Sequence, residues 1–166
     1  KIKVLFFGHH SYYLQQNKKS SSELMPSILP GRREIGGYNW KVCAKTIAEL
    51  LQKNPKITEI EFRCCELSCG DNNSTFRLLS GEIERVANEG SNKNCIDRKV
   101  ELKAYSYIIL SSKNGSKSLA LPPERWVEYK EAKSNKRSQI EESLEPLESA
   151  SCETQTITIK SSKRDC

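Results

Sequence analysis

Histidine is scarce in this chain. His9 and His10 are the two it has, and none of its seven cysteines forms a CxxC pair. A structural zinc site draws four nitrogen or sulfur ligands from close spacings, so no metal is expected. Long apolar runs are missing as well: no stretch reaches 18 apolar residues, and no membrane partner is expected. Lys1 to Phe7 is too short for a secretory leader, and no cleavage-type segment follows it. Interleaved aromatic and basic residues, the stacking platform of single-strand nucleic-acid binders, do not occur, which argues against a nucleic-acid partner. The odd cysteine count, in a chain long for a disulfide scaffold, favours free thiols in a reducing place of action. No internal repeat is present.

What is there fits one domain, residues 1–166, with a sizeable core, and a monomer is expected. The chain begins directly in what reads as a strand, which points to a piece of a longer protein. Its 27 basic and 21 acidic side chains give a net charge of +6, with part of the surplus between Lys113 and Arg164. A basic surface favours polyanions: nucleic acid, acidic lipid or a small phosphorylated ligand. A plain solvated face is the alternative.

Ile2 to Phe7 is almost continuously apolar and reads as a buried strand. Residues 8–37 form a long polar connection, with a short helix expected within Ser22 to Leu29. Asn39 to Lys53 carries Cys43, Ile47, Leu50 and Leu51 on one stripe and stops at Asn54-Pro55, the pattern of a helix. Ile57 to Cys64 alternates, with Ile60, Phe62 and Cys64 on one face and Glu59, Glu61 and Arg63 on the other. Ser74 is placed to cap a helix running to about Ala87, with Phe76, Leu79, Ile83 and Val86 inward. A further strand is expected near Val100 to Ala104. This order predicts an α/β fold with a mostly parallel central sheet flanked by helices. Beyond it, short strands are expected at Tyr107 to Ser111, Ser118 to Leu121 and Arg125 to Tyr129, with a hairpin turn at Lys113-Asn114-Gly115. A weak helical pattern covers Ile140 to Leu147, and a last strand Thr154 to Lys160.

Two strand ends carry the chemistry. The first strand runs into Gly8-His9-His10, and the strand at Ile57 runs into Cys64-Cys65. In open α/β sheets the working groups collect beyond the carboxyl ends of strands, so His9 and Cys65 are expected on one rim. A cysteine nucleophile needs a base, because its thiol pKa of about 8.5 leaves little thiolate at neutral pH. Backbone amides at the turn would receive a developing oxyanion. The bland alternative is a buried cysteine beside a structural histidine. Cys64 falls on the core face and Cys69 in the next loop, which makes both weaker nucleophiles on paper. His10 reads as a loop residue.

Taken together, Lys1 to His9, Ile60 to Cys65 and the downstream strands resemble the autoprocessing cysteine protease domains of large bacterial toxins. These are the clostridial glucosylating and MARTX types, relatives of caspases. The resemblance implies a caspase-like core over 1–104 and a C-terminal β-flap with an anion-binding region over 105–163. It implies a Cys-His dyad of Cys65 and His9, with Gly8 and Cys65 backbone amides at the oxyanion. The enzyme would cut its own flanking polypeptide after leucine, secreted by a bacterium and acting in the host cytosol. Inositol hexakisphosphate would be the allosteric activator, held by Lys3, Lys113, Lys117, Arg125, Lys130 and Lys160, with Trp126 linking that cleft to the catalytic side. Two positions depart from the family pattern: His10 stands where it has glycine after its histidine, and Cys64 where it has glycine before its cysteine. The alternative function is a catalytically silent inositol phosphate-binding module.

Overall fold

Alternation along Ile57–Cys64 decides which way the central strand faces. Ile60, Phe62 and Cys64 are buried in the main core, while Glu59, Glu61 and Arg63 lie on the reverse face. The structure is a computed structural model describing residues 1–10, 33–91, 95–122 and 144–162, with the single positions 125, 129 and 131. In chain order its elements are β1 (Ile2–Gly8), β2 (Glu34–Ile35), β3 (Tyr38–Asn39), α1 (Trp40–Lys53), β4 (Ile57–Cys64), α2 (Thr75–Ala87), β5 (Cys95–Tyr105), β6 (Ile108–Ser111), β7 (Ser118–Leu121), β8 (Glu145–Pro146) and β9 (Cys152–Ser162).

The central sheet has the order β1-β4-β5-β9. β1 and β5 both run parallel to β4, and β9 closes the sheet antiparallel to β5. The result is a mixed α/β molecule with a mostly parallel sheet, as the element order predicts. The register pairs Phe6 with Phe62 and Gly8 with Cys64, so the two strands end level with each other.

Both described helices pack on the Ile60–Phe62–Cys64 face. Asn39 opens α1 by accepting the Lys41 amide at 2.9 Å. Cys43, Ala44, Ile47, Ala48 and Leu51 form its buried stripe at helical spacing. Ser74 opens α2 in the same way, accepting the Arg77 amide at 3.1 Å, as the sequence predicts. Phe62 then joins strand to helix: its ring meets Phe6 of β1 at 5.4 Å and Phe76 of α2 at 6.1 Å. That aromatic step fixes the first turn of α2 against the ends of β1 and β4.

A second, smaller sheet of β6, β7 and β8 has its own cluster, in which Ile109, Ala120, Leu147 and Ala150 gather around Tyr105 at the end of β5. The hairpin turn expected at Lys113-Asn114-Gly115 joins β6 to β7, and Gly115 comes down on the Phe7 ring of β1.

Several expectations are corrected. The long connection after β1 contains the β2–β3 hairpin around Gly36-Gly37. β5 and β9 are each eleven residues long, well beyond Val100–Ala104 and Thr154–Lys160, because each continues as the other's antiparallel partner. Arg125 lies in a three-ten turn, its amide bonded to Pro122 O at 3.0 Å, and Tyr129 is helical, so the expected strand fails at both its ends; residues 126–128 lie outside the described residues. The weak helical pattern over Ile140 to Leu147 fails where it can be followed: Glu145–Pro146 pairs with β7 and Leu147 opens a three-ten turn, while residues 140–143 lie outside the described residues. The helix within Ser22 to Leu29 lies outside the described residues. Among the described residues, no helix is long and apolar enough to cross a membrane.

Candidate active site at the strand ends

The pairing of Gly8 with Cys64 makes His9 and Cys65 the next residues on two adjacent parallel strands. Cys65 continues the face of Glu59, Glu61 and Arg63 and meets β6, while His9 leaves the end of β1 exposed to solvent. The site is therefore a rim feature, with both residues supplied by strand ends. Position 8 is tightly enclosed: a Cβ there would come 3.0 Å from the Ile35 side chain of β2, which would have to shift to admit it. Gly36 donates its amide to His9 O at 2.7 Å, which holds the chain as it leaves β1. The His9 ring is exposed, and no hydrogen bond joins it to the Cys65 thiol among the described residues.

The Cys65 sulfur instead meets the main chain of β6. Its S–H donates to Ile109 O at 3.6 Å, and it accepts the Ile109 N–H at 3.3 Å. Burial pushes the thiol pKa up; the Ile109 amide counters this and the Glu66 carboxylate adds to it. The Cys65 backbone amide also faces its own sulfur. Glu66, directly after it, is buried and has a left-handed φ of 54°. Non-glycine residues seldom adopt that conformation, and such strained backbone clusters at functional sites, which makes its place beside the candidate nucleophile noteworthy. The Glu66 N–H is used by Tyr107 O at 2.8 Å and is not open to an oxyanion.

The histidine that does reach the Cys65 turn is His10. It is buried, contrary to its expected place in a loop. Nδ1 lies 2.9 Å from Cys65 O, and Nε2 lies 2.9 Å from Thr75 Oγ1 at the start of α2. A carbonyl only accepts, so Nδ1 carries the proton and Nε2 accepts from the Thr75 hydroxyl. Burial lowers the His10 pKa to about 4, the Cys65 carbonyl working against that shift and Arg33 adding to it. The chain matches no family model and no curated protein.

The rival thiols are accounted for by geometry. Cys64 is fully buried, and burial drives its pKa strongly up. The neighbouring Cys65 and Cys43 thiols add to that shift and the Gly8 backbone amide counters it. Cys69 donates to Ser106 O at 3.1 Å.

The expected anion ligands are spread over the reverse face and the hairpin. Lys3 is ion-paired with Glu59 at 2.8 Å and Glu61 at 2.6 Å. Glu61 is buried on that face and also accepts from Tyr105 Oη at 2.8 Å and Arg63 Nε at 3.1 Å. Burial raises the Glu61 pKa, but its three donors outweigh burial and hold it below the usual carboxylate range. Arg63 reaches on to Ser118 of β7. Lys113, Lys117, Arg125 and Lys160 are exposed and form no ion pair among the described residues. These four suit a polyanion chemically, whereas Lys3 suits one only after losing a carboxylate. Trp126 and Lys130 lie outside the described residues. No cluster of three or more metal-ligating side chains occurs among the described residues.

Proposed function

We propose that this chain is a caspase-like cysteine endopeptidase domain of the bacterial toxin or effector type, gated by inositol hexakisphosphate through its β6–β7 flap. The observation that carries the reading is the level ending of β1 and β4, with a histidine and a cysteine next in line. Parallel strand ends at a sheet rim are where α/β enzymes assemble their working groups. The substrate is the flanking polypeptide, cut after leucine, and the place of action is a host cytosol.

In the reaction, His9 takes the Cys65 proton and the thiolate attacks the scissile carbonyl carbon. The oxyanion so formed is received by the Cys65 backbone N–H, which already faces the sulfur. His9 returns the proton to the leaving amine as the C–N bond breaks, leaving a thioester on Cys65. Water, deprotonated by His9, then releases the carboxylate product and restores the thiol. Before any of this, the Ile109 main chain must let go of the sulfur, because a thiol pinned on both sides and raised by burial is a poor nucleophile. When bound, inositol hexakisphosphate supplies concentrated negative charge, which Lys113, Lys117, Arg125 and Lys160 are available to hold.

A leucine-bearing electrophile, applied with and without inositol hexakisphosphate and read by mass spectrometry, tests this. Labelling of Cys65 that needs both the anion and His9, and is lost in His9→Ala, is expected. A second reading is favoured by the two-sided hold of Ile109 on the thiol: a silent inositol phosphate-binding module. Thermal stabilisation by the anion with no cysteine labelled would select it.

A further inference from the structure

We infer that His10 is a positioning residue that sets the Cys65 turn against the start of α2 through its two ring nitrogens. The inference deepens the endopeptidase reading and rests on it for the catalytic consequence. Three observations carry it. The ring is buried, so its polar atoms have no water to fall back on. Each nitrogen has one partner at 2.9 Å, and the partners lie on different elements: the residue after β4 and the first residue of α2. Neither partner is a side chain of the proposed chemistry, so the ring acts on Cys65 through its backbone carbonyl.

The geometry explains why a histidine is tolerated so close to the rim. A side chain leaving the chain just past His9 would crowd a substrate if it faced outward. Here it turns inward and spans the gap between strand end and helix. The Cys65 carbonyl is thereby fixed, and with it the peptide plane leading to Glu66, whose left-handed backbone needs support from its surroundings. Arg33 reinforces the same corner, donating to Asn73 O in the turn that leads into α2.

The test separates positioning from plain stability. Iodoacetamide alkylation of the full chain is followed at Cys65, with exposed Cys152 as the internal reference. His10→Leu removes both hydrogen bonds; His10→Asn keeps a donor near the Nδ1 position; Thr75→Val removes only the second partner. Loosening of the turn should free the sulfur from Ile109 and raise the Cys65:Cys152 rate ratio roughly tenfold in His10→Leu. His10→Asn should stay near the parent, with Thr75→Val between. In the leucine-bearing electrophile assay, the same His10→Leu change should lower the maximal inactivation rate roughly tenfold with little change in half-saturation. An unchanged Cys65:Cys152 ratio in all three folded variants would overturn the inference. If the parent takes no leucine-bearing label while the alkylation ratio still responds, the endopeptidase reading fails and the positioning role stands. Should His10→Leu fail to fold, Thr75→Val decides by the same ratio.

Discussion

Burial keeps His10 neutral: Nδ1–H donates to Cys65 O and Nε2 accepts from the Thr75 hydroxyl, while a charged ring, although the hydroxyl can also accept, would be enclosed without a counter-charge beside Arg33. Its pKa falls from 6.5 to about 4 on folding, by burial first and Arg33 second. The unfolded chain therefore binds the extra proton between those two values, and stability rises with pH across that window. Above pH 6.5 the group is neutral in both states and contributes nothing. Between pH 6.5 and about 4 the native state should lose at most about 3 kcal/mol to this residue. Urea unfolding at pH 7 and pH 4.5 checks it: the acid loss should shrink in His10→Asn. At this scale the sequence is a mixed guide. Cys64 and Cys65 were separable because strand alternation reaches the last residue of β4. His9 and His10 were not, since past a strand end no period remains. The ring's far partner is Thr75, which no local pattern connects to it.

At the level of elements, the β6–β7 hairpin is seated on β1 by one glycine. Gly115 has a φ of 69°, and a Cβ on it would stand 3.0 Å from Cζ of Phe7. Gly115→Ala combines a left-handed backbone penalty of about 1 kcal/mol with a contact that an exposed ring relieves only by swinging aside. The melting temperature should fall by roughly 3 °C. Amide exchange should quicken in β6 and β7 while β4 and β5 stay protected, because the seat serves the hairpin alone. Equal quickening in all four strands would show that the hairpin belongs to the main core. The elements readable from sequence were β4, α1 and α2, with several periods behind them, and β1, whose apolar run marked a strand but not its place. It is a sheet edge with Ile2, Leu5 and Phe7 exposed, where burial was expected. Two-residue strands such as β2, β3 and β8 have no period to detect and exist because a partner is beside them. Arg125 to Tyr129 has strand-like composition, yet Arg125 is in a three-ten turn and Tyr129 is helical, so local preference is overruled there.

Across the whole molecule, Glu61 ties four strands together. It accepts from Lys3 on β1, Arg63 on its own strand and Tyr105 on β5, and Arg63 extends the chain of contacts to Ser118 on β7. Removing the carboxylate in Glu61→Ala leaves a half-buried arginine and a buried phenol without their acceptor, a loss of about 3 kcal/mol. Urea unfolding reads it directly. The same network bears on how a polyanion would enter. Lys3 is held by two carboxylates of unequal burial: Glu61 is buried, while Glu59 is partly exposed and its carboxylate has no ion pair or hydrogen bond beyond Lys3 among the described residues. On the proposed reading, a phosphate must displace Glu59 to use Lys3, so Glu59 is a competitor of the ligand. Neutralising it in Glu59→Gln should tighten inositol hexakisphosphate by a few-fold, the worth of a partly exposed ion pair at roughly 0.2–1 kcal/mol. Lys3→Gln should weaken binding, and both effects should shrink as salt is raised. Titration calorimetry at two salt concentrations distinguishes the cases. Equal affinity in the parent, Glu59→Gln and Lys3→Gln would remove Lys3 from the ligand set and confine any anion site to the hairpin and β9 cations.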